Sequence, residues 1–449
     1  MIATIPENLM QQLSLCLDAE LGLHFPKPRW MDLERGIRAA TDELGFEDPA
    51  ECAEWLVSTR LTKPQLETLA AHLTIGETYF FRDPAMFDFL AAHVLPELIR
   101  ARRDTGRQIR IWSAGCCTGE EPYSIAITLA RLLPDIADWR ITILATDVNP
   151  RFLKKATAGR YGEWSFRGTP EAGSAQYFHR MQDGTSEISL PLRRMVTFAT
   201  LNLAEDVYPS LINNTNAMDV IFCRNVLMYF SRAHAMKVAA KLHASLMDGG
   251  WLFPSPAEVS MDVFPQFEMV RRPGTLVFRK HGTLPARLPA PPQPAPARIP
   301  APKPAAIVPP VAAAEKVAPS ADLCKARNLA NEGRLADALA ECERAISAHR
   351  LLAAGHYLRG VILQEKGAFA EARVALRRAL FLDPNFVVAH FSLGNLLRQQ
   401  GRGTEAARSF ENARELLHRC APDAELPESD GVTAGRLLAM VESIQDIRV

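Results

Sequence analysis

No stretch of this 449-residue chain is apolar for long enough to span a bilayer. Its first residues lack the basic start and apolar core of a signal peptide. Both absences predict a cytoplasmic protein. Lys plus Arg equals Asp plus Glu, 51 each, so no global charge of either sign would draw the chain to nucleic acid or to an anionic membrane. The eight cysteines, at 16, 52, 116, 117, 223, 324, 342 and 420, form no CxxC pair. That argues against zinc and for reduced thiols. No cluster with metal-ligand spacing is present either, and no metal is expected.

What the chain does hold is a sequence of distinct regions. Residues 1–90 show helical periodicity and predict a small helical domain. Residues 91–283 alternate short apolar runs with helices. The strand candidates are "RIWSA" (110–114), "ITILAT" (141–146), "MVTFATL" (195–201), "DVIFC" (219–223) and "GWLFPS" (250–255). Helices are expected near 121–132, 149–157 and 233–247, and "FEMVRRPGTLVFRK" (267–280) reads as a closing hairpin. This alternation predicts an α/β domain with a mainly parallel sheet. Residues 284–319 form a Pro/Ala-rich linker, with 12 prolines between Pro285 and Pro319. Such a composition forms no core and predicts an extended spacer.

Residues 320–449 carry a repeat. Gly333, Gly367 and Gly401 recur at a period of 34, as do Ala338, Ala372 and Ala406, and Ala345, Ala379 and Ala413. Ala326, Gly360 and Gly394 make a fourth column. Small residues at one period mark the close crossings of stacked helical hairpins. The segment resembles the tetratricopeptide family, with three repeats over about 320–418 and a capping helix near 432–446. A solenoid of this kind implies a protein partner.

The chemistry concentrates in "IWSAGCCTGEEPYSIAITLA" (111–130). A strand runs into a glycine turn and then a helix whose first residues are Glu120 and Glu121. A helix N-terminus ordinarily favours phosphate, but two carboxylates there repel it. They suit a ligand that carries an ammonium and a sulfonium; S-adenosylmethionine fits, and NAD fits poorly. Asp147, at the end of the second strand in "ILATDVNP", either accepts ribose hydroxyls or caps the helix that follows. Ligands of open α/β sheets bind at these strand ends.

Five blocks in one order carry a more specific likeness: "ETYFFRDPAMF" (77–87), the 111–130 segment, "ATDVNPRFLKKATAGRY" (145–161), "FATLNL" (198–203) and "IFCRNVLMYF" (221–230). Over about residues 10–280 the chain resembles the chemotaxis-receptor methyltransferase family known as CheR. The resemblance implies a helical N-terminal domain, an adenosylmethionine-dependent methyltransferase (Rossmann-like) domain with a small β-subdomain, and methyl transfer to receptor glutamates as γ-glutamyl esters. It implies S-adenosylmethionine as cofactor and S-adenosylhomocysteine as product. Thr78 and Arg82 would come from a linker helix between the domains. Glu121 would hold the methionine end, Asp147 the ribose, and Asn202 and Leu203 the adenine. Arg224, Asn225 and Tyr229 would lie near the methyl group, with Arg82 and Tyr229 orienting the acceptor. At Gly76 the family often has Asn, so a contact there passes to backbone or is lost. In "FPSPAE" (253–258) a glycine-histidine-serine-glutamate stretch is more usual.

The family also implies a basic N-terminal helix that meets acidic receptor helices. Residues 1–90 hold only seven Lys or Arg against fifteen Asp or Glu, so either docking rests on a small patch that includes Arg35 and Arg38, or the substrate is less acidic. Some family members bind a receptor pentapeptide on the β-subdomain through a turn lengthened by glycines. Here "HRMQDGTSEISLP" has the single Gly184, and no pentapeptide site is expected. Two rival readings remain open: a methyltransferase of the same architecture acting on RNA or a small molecule, and a non-enzymatic scaffold.

Overall fold

A computed structural model describes residues 5–104, 106–167, 175–282 and 321–446. The linker expected at 284–319 lies outside the described residues. The chain divides into two compact units, one before the linker and one after it.

The first unit begins with α1 (Glu7–Leu21), α2 (Trp30–Thr41), α3 (Pro49–Ser58) and α4 (Lys63–Leu73). Their boundaries follow from cap chemistry. Gly22 closes α1 at φ 73°, with its N–H returned to the Asp18 and Leu17 carbonyls. The Asp48 side chain accepts from the Ala50 N–H at the start of α3, and Thr62 with Gln65 forms a capping box on α4. Leu9, Leu13 and Leu17 of α1 pack with Leu33, Ile37, Leu69 and Leu73 as a separate small core.

The segment from Thr74 to Asp83 is not the linker helix expected for Thr78 and Arg82; it is extended chain and turn, and helix resumes only at Pro84. The cause is local. The Phe80 N–H donates to the Ser165 carbonyl and the Phe81 N–H to Ser124 Oγ, so these amides are spent on the next domain. Phe80 is buried against Phe166, Tyr161 and Phe178. Phe81 and Asp83 take φ of 54° and 71°, and a residue before proline avoids the helical region.

After α5 (Pro84–Phe89) the helix widens into a π turn, Leu90–Val94, and continues as α6 (Leu95–Arg102). Pro96 lacks the N–H for the next helical bond, and such bulges relieve that misfit. Then come β1 (Gln108–Ala114), α7 (Glu120–Leu132), β2 (Arg140–Asp147), α8 (Pro150–Ala158), β3 (Arg160–Tyr161), β4 (Phe178–Arg180), β5 (Ser186–Ile188), the short α9 (Leu190–Arg193), β6 (Val196–Thr200), β7 (Met218–Cys223), α10 (Arg232–Ser245), β8 (Leu246–Pro254), β9 (Phe267–Arg272) and β10 (Thr275–Lys280). The seven-stranded sheet has the order β6-β2-β1-β7-β8-β10-β9. Its first five strands are parallel, and β10 and β9 close it antiparallel. A three-stranded antiparallel sheet, β3-β5-β4, forms the small β-subdomain. Residues alternate across the main sheet: Ile109, Ile111, Val220 and Phe222 enter one core, and Trp112, Ala114, Ile221 and Cys223 the other. The chain leaves β1 toward β2 on one side and β7 lies on the other, so the crevice opens at the carboxyl ends of these three strands.

Beneath the opposite end of the sheet lies an ion pair with no trace in the motif pattern. Arg102 and Asp219 are both fully buried. Asp219 also accepts the Arg110 N–H at 2.8 Å. Arg102 donates to the Gln108 carbonyl at 2.9 Å.

The second unit is three helical hairpins, α11 (Ala321–Asn331) with α12 (Leu335–Ala348), α13 (Ala353–Lys366) with α14 (Phe369–Leu382), and α15 (Val387–Gln399) with α16 (Gly403–Leu417), followed by α17 (Ala434–Asp446). Gly333, Gly367 and Gly401 turn each pair at φ between 71° and 80°. A Cβ on Gly360 would meet Leu376 at 2.7 Å, and one on Gly394 would meet Phe410 at 2.7 Å. The period of small residues is therefore the period of helix crossings, a tetratricopeptide-type array.

Candidate functional site

A cavity of about 270 Å³ lies at the ends of β1, β2 and β7. The glycine turn after β1 forms one wall. Gly115, Cys117 and Gly119 all take positive φ, and a Cβ on Gly115 would stand 2.3 Å from the Val226 side chain. Four amides of this turn are committed: Gly115 and Cys116 donate to the Thr146 carbonyl, Cys117 donates to Asp147 Oδ2 at 2.8 Å, and Gly119 donates to the Cys116 carbonyl. They are not a free cradle for phosphate.

The two acids of the turn separate into two roles. Glu120 is buried and points inward, accepting from Thr118 Oγ1 at 2.6 Å and Ser165 Oγ at 2.9 Å. Glu121 lines the cavity. It accepts from Ser113 Oγ at 2.7 Å and from Arg224 at 3.2 Å. Asp147 faces it from the end of β2. Its oxygens accept the Cys117 and Asn149 N–H groups, while burial pushes its carboxyl up to about 6. Helix α8 is capped not by Asp147 but by Asn149, whose side chain accepts from Arg151 and Phe152. Burial, aided by Asp147 and Glu120, pushes the Cys117 thiol up to about 12, and Cys116 is driven well above its ordinary range. Neither thiol is ionised at neutral pH, so the cysteine pair serves as compact turn residues.

The remaining expected residues divide as follows. Thr78, Arg82, Glu121, Asp147, Asn202, Leu203, Arg224, Asn225 and Tyr229 all line the cavity. Gly76 does not; a Cβ there would strike the Phe152 ring at 2.5 Å, so glycine lets that ring cover the connector. Arg35 and Arg38 lie on α2 and are paired with Asp32 and Glu34 of the same helix. Within the cavity, Arg82 donates to the Glu77 carbonyl at 2.6 Å. Arg224 is buried between Glu121 and Asp83 and also donates to the Arg82 carbonyl. The Asn202 side chain ties to the Glu20 carbonyl at 2.9 Å. Burial raises the Tyr229 phenol, against the opposing pull of Arg29 and Arg82, so it is a neutral hydrogen-bond donor.

Several contributors escaped the motif reading. Leu21 and Leu23, at the end of α1, close one side of the cavity, with Gly22 pressed against Phe230. Arg29 lies over the Tyr229 ring, 5.4 Å from its centroid. Glu258 accepts the Asn225 N–H at 2.7 Å and the Met228 N–H at 3.2 Å. It thereby fixes the turn that carries Asn225, at φ 56°, and Tyr229. The Ser255 and Glu258 of "SPAE" supply a capping box, a signal that was legible in the sequence. Among the described residues no His/Cys/Asp/Glu cluster could hold a metal, and no helix is long and apolar enough to cross a membrane.

Comparison with known proteins gives the site a context. The family model described as "CheR methyltransferase, SAM binding domain" matches residues 76–272. A probable chemotaxis protein methyltransferase of Rhizobium etli is 37% identical over 218 residues, covering 48% of this chain and 79% of that protein. A chemotaxis protein methyltransferase of Borreliella burgdorferi is 30% identical over 256 residues, covering 57% of this chain and 89% of that protein. The probable biofilm formation methyltransferase WspC of Pseudomonas aeruginosa is 28% identical over 369 residues, covering 77% of this chain and 84% of that protein.

Proposed function

This chain belongs to the CheR family of chemotaxis protein methyltransferases and carries its S-adenosylmethionine-binding domain, and from that premise we propose that it methylates glutamate side chains in the cytoplasmic part of a chemoreceptor. The observation that carries the reading is the pair of carboxylates, Glu121 and Asp147, facing one cavity beside a turn whose Gly115, Cys116, Cys117 and Gly119 amides are already spent. Such a pair of anionic acceptors suits a cationic nucleoside. Asp147 would hold the ribose, Glu121 the ammonium end, and Asn202 and Leu203 the base. The cofactor supplies a methyl group on a positively charged sulfur. The protein's own task is then modest. A glutamate carboxylate is ionised at neutral pH, its reference pKa being about 4.3, and it needs no general base. Arg82 and the neutral Tyr229 phenol orient it, and the surrounding side chains exclude water.

The repeats, in this reading, recruit a protein partner. The domain limits 1–90, 91–283, 284–319 and 320–449 make the methyltransferase portion separable from that arm. The test compares the full chain with a chain that ends near Thr283 on a receptor in membranes with its cellular partners present. Equal kcat and a higher KM in the shorter chain support recruitment; identical kcat and KM oppose it. Because the likeness to the relative named for biofilm formation spans 77% of this chain, a second reading of the pathway follows: the receptor served governs surface growth rather than swimming. Deletion followed by separate biofilm and motility assays distinguishes the two.

A further inference from the structure

The first helices of the three hairpins, α11, α13 and α15, stand side by side, and arrays of this type use such a face to bind partners. Here that face already holds a segment of the same chain. After α16 the backbone doubles back as a compact loop: Glu425 bridges Thr433, and the Ala434 N–H returns to the Ala424 carbonyl at 2.9 Å. The loop's tip reaches α11, where Arg327 pairs with Glu428 and, at 3.2 Å, with Asp430. Asp430 also lies close enough to act electrostatically on the buried Tyr357 hydroxyl of α13. The acidic tip thus pairs with α11 and acts on α13. Ser429 and Val432 are almost completely buried.

The chemistry of the loop is one-sided. Residues 421–433 contain Asp423, Glu425, Glu428 and Asp430 and no Lys or Arg. Glu428 and Asp430, the two residues that meet Arg327, hold φ of 62° and 52°, a region that L side chains enter only under constraint.

We propose that this face is a binding site for a short acidic segment of a partner protein, and that residues 424–433 occupy it as a tethered stand-in which the partner displaces. The inference rests on the reading of the repeats as a recruitment arm and gives that arm a ligand class. A tethered occupant weakens any competitor in proportion to its occupancy, so recruitment is held back until an acidic partner segment is abundant or better fitted.

The test uses the full-length protein and a fluorescein-labelled peptide of its own residues 424–433, AELPESDGVT, followed by fluorescence anisotropy. In the E428Q/D430N variant the peptide should bind at least about tenfold more tightly than in the wild type, and adding R327E should abolish that binding. Equal affinity in wild type and E428Q/D430N, no binding in either, or binding that survives R327E overturns the proposal. A loop that merely seals the solenoid would instead lower the melting temperature in E428Q/D430N without any gain in binding, which also overturns it. Should that variant fail to fold, hydrogen exchange on the wild type decides: excess peptide should accelerate the amides of 426–433, and unchanged exchange counts against the proposal. Peptide failure together with an intact KM difference for the shortened chain would leave recruitment standing on another surface.

Discussion

Arg224, just beyond the end of β7, donates to the carboxylate of Glu121, in the first turn of α7, at 3.2 Å. The bond joins the end of β7 to the start of α7 at the cavity and holds Glu121 in place before any ligand arrives. Arg224 is nearly buried, and its other guanidinium contacts go to Asp83 and the Arg82 carbonyl. The connector between the two domains is thereby tied to the acid that faces the ligand.

From this geometry, Glu121→Ala and Asp147→Ala should each weaken S-adenosylmethionine binding by about 1.5–3 kcal/mol, the worth of a hydrogen bond to a charged group. Neither change should unfold the chain. Calorimetry on both variants checks it; wild-type affinity in both would remove the cofactor assignment.

Cofactor affinity should also depend on pH. Asp147 is pushed up to about 6, chiefly by burial. Protonation removes the charge that a ribose hydroxyl would donate to. Affinity should be flat above pH 7 and fall below pH 6, with a limiting slope of about tenfold per unit. The same raised value means the ligand-free fold binds this proton more tightly than the unfolded chain does, so this group favours folding as pH drops through about 6. Affinity that stays constant from pH 7.5 to 5 would contradict the account.

Asp219→Ala should be severe for stability while leaving the cavity intact. It strands the fully buried Arg102 guanidinium and the Arg110 N–H. Breaking a buried pair on one side costs about 3–5 kcal/mol. Urea unfolding of the chain ending near Thr283 measures it, and a loss below about 1 kcal/mol would show that the pair is not desolvated as described.

No receptor pentapeptide should bind the β-subdomain. The connection between β4 and β5 is the five residues 181–185, closed by the Met181 N–H to the Thr185 carbonyl and by the Thr185 hydroxyl to the Asp183 carboxylate. It is a tight turn with Gly184 at φ 81° and offers no added loop. Calorimetry with a receptor C-terminal pentapeptide and the chain ending near Thr283 should show no heat. Micromolar binding that disappears on changing residues 182–188 would refute this.

Much of the fold was legible because its determinants are local. Strand runs such as "ITILAT" and the 34-residue spacing of Gly333, Gly367 and Gly401 report backbone geometry directly. The cavity residues were legible where a motif sits at a strand end, as with Glu121 and Asp147. Three things were not. The resemblance implies a linker helix at Thr78 and Arg82, and only the burial of Phe80 against the β-subdomain shows why the chain there is extended. The wall made by Leu21 and Leu23 depends on how α1 docks. The pairing of Arg102 with Asp219 joins residues far apart in sequence that no period connects. Each is a tertiary contact, and local propensity carries no record of it.

The most direct test of the proposed function follows labelled methyl from S-adenosylmethionine into a purified chemoreceptor cytoplasmic fragment. The account predicts label that base releases as methanol, mapped by mass spectrometry to glutamate side chains, and reduced by Asp147→Ala at limiting S-adenosylmethionine. Label that resists base, or that appears on RNA or a small molecule while the receptor stays unmodified, would contradict it.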